Sequence, residues 1–388
     1  MHHPSNEPFQ VLSVEDFLSL SARINYLLAA KDPSIEALMG RLVARRRLQG
    51  SMEALSSGIS FLLRAYRNRL RRLGPLAVLH PLRASHLLVL ASENPTVLDT
   101  LTAFLHDYYE DIFTPEMDSE QRQELEWRYE MLQQQLSEEE RWFLDERIKW
   151  LTKRPEEQYH EYLGRLLMQA RHTPELIWVK LADRLDNTYD LRVVDEGNDE
   201  YFRLIFDVLF LRKADRRQTP TTPPVPGQMD EAHRLYQMFK NAVFLTLVRN
   251  YSLDSETLTA RRLFDALASA SIQESGRILS QILSYQLVDP IKQRHLLMDA
   301  MEYCYGGGIN RITSSQRGHK LDGLFKDRFD HPDSKTRKAM LKKMQDDKEL
   351  MIEAALAFLT IFESFLNSSH YHVSGVKASG LDIEDTMV

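Results

Sequence analysis

Apolar residues recur through most of this chain at spacings of three and four, the period of a helix with one buried face. The pattern is clear at Val97, Leu98, Leu101, Phe104 and Leu105, and again at Leu176, Ile177, Val179, Leu181, Ala182 and Leu185. It returns between Leu235 and Val248, Ile278 and Leu287, and Ala354 and Leu366. No alternating run exceeds a few positions, so almost no sheet is expected. Four helix starts are marked by a capping side chain before a proline: Asp32-Pro33, Asn94-Pro95, Thr173-Pro174 and Asp289-Pro290. Ser13 to Asp16 approximates a capping box. The pattern predicts one helix from Pro95 to Asp111 and another from Thr173 that carries Asp183. The predicted fold class is all-α.

The strongest interruption is the stretch from Arg217 to Gly227, whose four prolines cannot continue a helix. It predicts a Pro-rich linker over 216–228, between an N-terminal domain over 1–215 and a C-terminal helical domain over 229–370. The polar, Gly- and Ser-containing stretch 371–388 is expected to be a flexible tail. Within the first domain a helical insertion is expected over about 113–172. Trp127, Leu132, Leu136, Trp142, Phe143, Ile148 and Leu151 predict an amphipathic helical pair there, with a lid over the neighbouring site as the functional alternative.

Composition narrows the function classes. With 388 residues, 43% hydrophobic, the chain can build roughly two cores. Gly and Pro are scarce at 15 each, which favours helices. A net charge of -7 argues against general nucleic-acid binding. Cys304 is the single cysteine, so neither a disulfide framework nor a thiolate metal site is expected, and a cytoplasmic location is the simplest expectation. The first residues lack the layout of a signal peptide, and Ala354 to Leu366 is too short to span a bilayer, so no membrane role is expected.

The candidate chemistry lies between Arg71 and Asn187. His106 and Glu110, and Asp107 and Asp111, are four apart at the end of an apolar helix. Burying such groups unpaired is expensive. A divalent cation would neutralise Asp107 and use the lone pair of His106, leaving Glu110 and Asp111 for proton transfer. Asp183, on another apolar helix one turn before Asn187, is a source for a further ligand. Imidazole with carboxylate suits manganese, iron or zinc better than calcium. Between Arg41 and Arg72 nine arginines stand against one acid, Glu53, which favours an anionic ligand.

Three separated motifs, His80-Pro81-Leu82, His106-Asp107-Tyr108-Tyr109-Glu110-Asp111 and Lys180-Leu181-Ala182-Asp183-Arg184-Leu185-Asp186-Asn187, resemble the hydrolase domain of the RelA/SpoT alarmone enzymes. That domain is part of the HD superfamily, and the resemblance covers about residues 60–195. It implies an HD helical bundle binding one Mn²⁺, with Fe²⁺ or Zn²⁺ as alternatives. It implies metal ligands at His80, His106, Asp107 and Asp183, catalytic roles for Glu110 and Asp111, and substrate contacts from Arg71, Asn187 and Lys180. The implied partner is a small phosphorylated nucleotide, and the implied reaction removes the 3′-pyrophosphate of ppGpp or pppGpp. Two departures stand out. Asp186 occupies the place of the family's usual histidine, where its carboxylate would repel a polyphosphate or face solvent, and the stretch from Asp111 to Lys180 is unlike the family's. No counterpart of the family's synthetase motif follows residue 200.

Two other functions are compatible with the same residues: an HD hydrolase of another nucleotide or phosphoester, and a nucleotide-sensing or scaffold protein without turnover. Outside the motifs, the stretch from Gly306 to Lys320 combines three glycines with basic and hydroxyl residues. It is expected to be a helix cap and flexible loop, with a phosphate cradle as the alternative.

Overall fold

The structure, a computed structural model, describes residues 14–30, 32–43, 46–67, 69–71, 76–114, 117–195, 229–287, 289–315 and 317–381. The Pro-rich stretch 216–228, Ser13, Arg45, Arg72 and Gly74 lie outside the described residues. The chain is all-α: among the described residues, strand is confined to a two-stranded antiparallel hairpin, β1 (Val376–Lys377) and β2 (Gly380–Leu381).

Two units divide the chain. The first comprises 1–154, 173–228 and 257–263, and the second 155–172, 229–256 and 264–388. The first unit holds α1 (Val14–Leu28), α2 (Ile35–Leu42), α3 (Met52–Ala65), α4 (Leu79–Ala91), α5 (Val97–Phe104), α6 (Ser119–Gln133), α7 (Glu138–Leu151) and α9 (Glu175–Asp195). Its centre is α4, buried at almost every position and packed on α9, α5, α2 and α1. A helix buried all round has no polar face, so its polar side chains must find internal partners.

Two of the expected helix starts shift by one or two residues. Ser34 and Thr96, each just after the proline, are the N-caps of α2 and α5, with hydroxyls accepting from the amides of Ala37 and Asp99. The residue before a proline is held extended, so the hydroxyl that follows the proline is the one within reach of the third helical amide. Asp289 does cap its helix, with Pro290 in the first turn.

The expected insertion is divided: residues up to 154 belong to the first unit and 155–172 to the second. α6 buries Leu125 and Leu132 against α3, and α7 buries Leu144, Ile148 and Leu151 while packing on α5 and α9. Trp127 and Trp142, expected on the apolar face, are exposed instead. Buried Arg147 binds Asp99 of α5 at 3.0 Å and Glu175 of α9 at 3.3 Å, which fixes three helices with one guanidinium. These helices are walls, not a lid.

The second unit contains α8 (Tyr159–Ala170), α10 (Glu231–Asn250), most of α11 (Leu258–Tyr285), α12 (Pro290–Tyr305), α13 (Ser334–Asp346) and α14 (Lys348–Asn367). α8 joins this unit because Tyr162, Leu163, Leu166 and Leu167 are buried on a helix that packs on α10. The stretch from Tyr371 to Leu381, expected to be tail, is built in. Val373 and Val376 are buried, the Val373 amide donates to Thr246, and Thr313 donates to the Ser374 carbonyl. Its polar composition hid two well-spaced valines. Among the described residues no helix is long and apolar enough to cross a membrane.

Candidate metal centre

Three stretches of the first unit supply the candidate residues. His80 stands in the first turn of α4, beside Pro81, whose missing N–H matters least there. Asp183, Asp186, Asn187 and Asp190 follow one another at helical spacing along α9. The third stretch corrects the sequence expectation of one helix to Asp111: α5 ends at Phe104. The ring of His106 takes the Ala103 carbonyl, donating from Nδ1 at 2.8 Å, so a side chain competes with the backbone at the helix end. A single wider turn, Tyr108–Ile112, follows, closed by the Phe113 amide on the Tyr108 carbonyl. The break buries His106, leaves Asp107 half-buried, and puts Glu110 and Asp111 on the exposed side.

His80, His106 and Asp183 form one buried cluster, and half-buried Asp107 lies beside its two imidazoles. His80 Nε2 lies 3.1 Å from His106 Nε2, 3.3 Å from Asp183 Oδ1 and 3.5 Å from Asp107 Oδ2. His106 Nε2 lies 3.1 Å from Asp107 Oδ2 and 3.6 Å from Asp183 Oδ1. Two donors held about 2.1 Å from one ion and roughly 90–110° apart would be about 3.0–3.4 Å from each other, so the His80–His106–Asp183 edges, 3.1 to 3.6 Å, are close to those of a single transition-metal site.

The hydrogen bonds sharpen the fit. A carbonyl oxygen only accepts, so His106 carries its proton on Nδ1. His80 Nδ1 lies 2.7 Å from Asp186, whose carboxylate is held ionised by Arg83, so this nitrogen also donates. In the neutral rings both Nε2 lone pairs therefore face one point, beside two carboxylate oxygens. Three electron-rich atoms in a buried space, with a fourth at its edge, require a cation among them. A divalent ion can fill that role, and so can protons. Burial lowers the basicity of His80, but hydrogen bonds to Asp107, Asp183 and Asp186 outweigh it and hold its pKa up to about 9. Burial likewise opposes the charge on His106, and Asp107 and Asp183 raise its pKa well above the ordinary value. Burial would raise Asp183, yet Lys180 and the two imidazoles hold it well below the ordinary carboxylate range.

The residues expected on the substrate side lie as follows. Asn187 donates to Asp183 at 2.6 Å and accepts from Arg71 at 2.6 Å. Arg71 also lies 3.1 Å from Asp190. Lys180 lies 2.8 Å from Asp183. Glu110 accepts from the Lys153 amide at 2.8 Å. Though both stand on the exposed side, partial desolvation by the surrounding chain and then Asp107 push Asp111 upward, and partial desolvation also raises Glu110. Of the nine arginines, Arg71 reaches the centre and Arg69 binds the Asp111 carbonyl at 2.6 Å, whereas Arg64 is paired with Glu124 and Arg46 with the Ser92 carbonyl.

The concern over Asp186 is answered by its burial. It faces neither solvent nor substrate, but accepts from His80 and from Arg83. Sequence reasoning missed Arg83 and Asp190. The available signal was a lone arginine in an apolar helix, three residues after His80, matched by aspartates four apart on α9. Burial, and then the charges of Asp107 and Asp111, raise the Tyr66 phenol well above its ordinary pKa.

A second cluster, Asp299, His319 and Glu353, lies in the second unit. There His319 Nδ1 accepts from the Leu321 amide, so Nε2 carries the proton and donates to Asp299 at 3.1 Å, which leaves no lone pair for a metal. The Gly306–Lys320 stretch is organised around Asp322, which accepts from the amides of Gly318 and His319, from Tyr303 and from Arg311. The amides of Gly318 and His319 are thereby taken. Comparison with protein-family models, curated proteins and solved structures gives no significant match.

Proposed function

We propose that this chain is an HD-type, metal-dependent phosphohydrolase acting on a phosphorylated nucleotide of the (p)ppGpp type. The observation that carries the reading is the convergence of the His80 and His106 lone pairs with Asp107 and Asp183 on one point. His80, His106, Asp107 and Asp183 would hold the ion, and the donor set favours Mn²⁺, with Fe²⁺ and Zn²⁺ as alternatives. When bound, the ion supplies Lewis acidity toward water and toward a phosphoryl oxygen.

The chain's own groups supply the rest. Half-buried Asp107 marks the open side of the centre, and Glu110 and Asp111 flank it. Their raised proton affinities suit a carboxylate that accepts a proton from attacking water and returns it to the departing ribose 3′-oxygen. The Lys153 amide fixes one Glu110 oxygen and so aims the other. Asn187 bridges Asp183 and Arg71, which sets the Arg71 guanidinium at the rim for an anionic substrate.

The test is incubation of the full-length protein with Mn²⁺ and ppGpp. Release of pyrophosphate and GDP is expected, with activity lost in Asp107→Ala. Intact ppGpp alongside cleavage of another nucleotide would transfer the reading to a different phosphoester. That alternative is favoured by the engagement of Arg71 with Asp190, which reduces its charge toward a pyrophosphate. Full activity in Asp107→Ala would remove the site assignment.

A further inference from the structure

Behind the candidate ligands lies a second layer of charge. Asp186 is fully buried. Its Oδ2 accepts from His80 Nδ1 at 2.7 Å and from Arg83 Nη2 at 3.1 Å, while its Oδ1 accepts from Arg83 Nε at 2.8 Å. This two-point fork fixes the plane of the carboxylate. Arg83, also fully buried, is held in turn on every side. It donates to Asp190 at 2.8 Å and to Ser21 at 3.3 Å, and its guanidinium lies 4.7 Å above the Phe17 ring. Ser21 and Phe17 belong to α1, Arg83 to α4, and Asp186 and Asp190 to α9, so three helices determine where this guanidinium sits.

We propose that Asp186 and Arg83 are positioning residues for the metal centre. Arg83 fixes Asp186, and Asp186 fixes the His80 ring as its Nδ1–H tautomer, so that the opposite nitrogen presents a lone pair to the cation. This inference rests on the reading of the centre as a metal site.

The placement fits that role better than a stabilising one. A buried ion pair adds little net stability, because desolvation offsets most of its Coulombic gain. A carboxylate on the outer nitrogen of a liganding imidazole, however, orients the ring and increases its basicity toward the metal. Helix geometry couples the layers. His80 and Arg83 are three apart on α4, and Asp183 and Asp186 are three apart on α9, so each helix supplies one ligand and one holder. The charges also separate by layer. Asp186 and Asp190 face Arg83 and Arg71, which leaves the pair Asp107 and Asp183 directed at the centre.

The test is titration of the metal-stripped full-length protein with Mn²⁺. Asp186→Asn keeps the shape and removes the anionic acceptor, and its Mn²⁺ affinity is expected to fall about 10–100-fold. Asp190→Asn keeps an oxygen that accepts from Arg83 and does not touch His80, so its Mn²⁺ affinity is expected to fall clearly less than that of Asp186→Asn. In the Zn²⁺-loaded wild type, selective ¹⁵N-histidine labelling should show a slowly exchanging His80 Nδ1–H that disappears in Asp186→Asn. Wild-type affinity in Asp186→Asn, or equal losses in both variants, would overturn the proposal. Should Asp186→Asn not fold, Arg83→Lys decides: weakened binding supports the inference, and unchanged binding overturns it. A wild-type chain that takes up no divalent ion is a separate result, which contradicts the metal reading itself.

Discussion

Gly58 measures how closely the wall of the centre is packed. It lies inside α3, and a Cβ added there would stand 2.5 Å from Leu101 Cδ2, 3.3 Å from Phe104 Cδ2 and 3.4 Å from Leu132 Cδ1. Leu101, Phe104 and Leu132 are fully buried, so none can swing into solvent. Two effects oppose each other. Replacing Gly with Ala in a helix interior gains about 1 kcal/mol of propensity, whereas overpacking a dense core costs about 1–3 kcal/mol. For Gly58→Ala the net is a destabilisation of about 1 kcal/mol. Gly58→Val keeps only part of the propensity gain and adds two further methyls, so about 2–3 kcal/mol is expected. The assay is chemical denaturation followed by circular dichroism, reading the shift in midpoint at constant slope. Because Leu101 and Phe104 belong to α5, which ends two residues before His106, the Val variant should also bind divalent ions more weakly. A Val variant as stable as wild type would refute the close approach of α3 to α5, and with it the support beneath His106 and Asp107.

Other expectations follow from the same physical rules. Arg234, fully buried, binds Glu274 at 2.7 Å, and Arg234→Ala leaves that carboxylate with Arg277 alone at 3.0 Å, so a loss of about 3 kcal/mol, the low end for a broken buried pair, is expected by denaturant titration. A Cβ at Gly164 would lie 2.6 Å from the Ala378 Cβ, so Gly164→Leu should loosen the hairpin, and limited proteolysis should then cut beyond Tyr371. Burial pushes the Cys304 thiol up to about 11. The folded state therefore favours the neutral thiol. The stability this adds is complete below the unfolded pKa of about 8.5 and is lost as pH rises through about 11. Alkylation of native protein at pH 8 should be slow, and rapid labelling there would contradict the burial.

The ligand set was legible because its chemistry is unusual for its setting. Imidazoles and carboxylates at the ends of apolar helices have few structural uses, and His80, His106 and Asp183 do come together, with Asp107 beside the two imidazoles. The all-α fold was legible from a period that persists over whole helices. The continuous helix to Asp111 was misjudged because apolar spacing is blind to a side chain that captures a backbone carbonyl, as His106 does. The role of Asp186 was misjudged because its partner, Arg83, lies 103 residues away in sequence. A buried carboxylate and an exposed one look the same until the helix opposite is known. The membership of α8 in the second unit was hidden for a related reason: helical periodicity shows that a face is buried, but not against what.

The central claim is that His80, His106, Asp107 and Asp183 share one divalent cation. Counting free Mn²⁺ by electron paramagnetic resonance during titration of the metal-stripped full-length protein tests it directly. One tight site per chain is expected, absent in His80→Ala and in Asp183→Ala. A chain that leaves all the Mn²⁺ free, or a site that survives both substitutions, would contradict it.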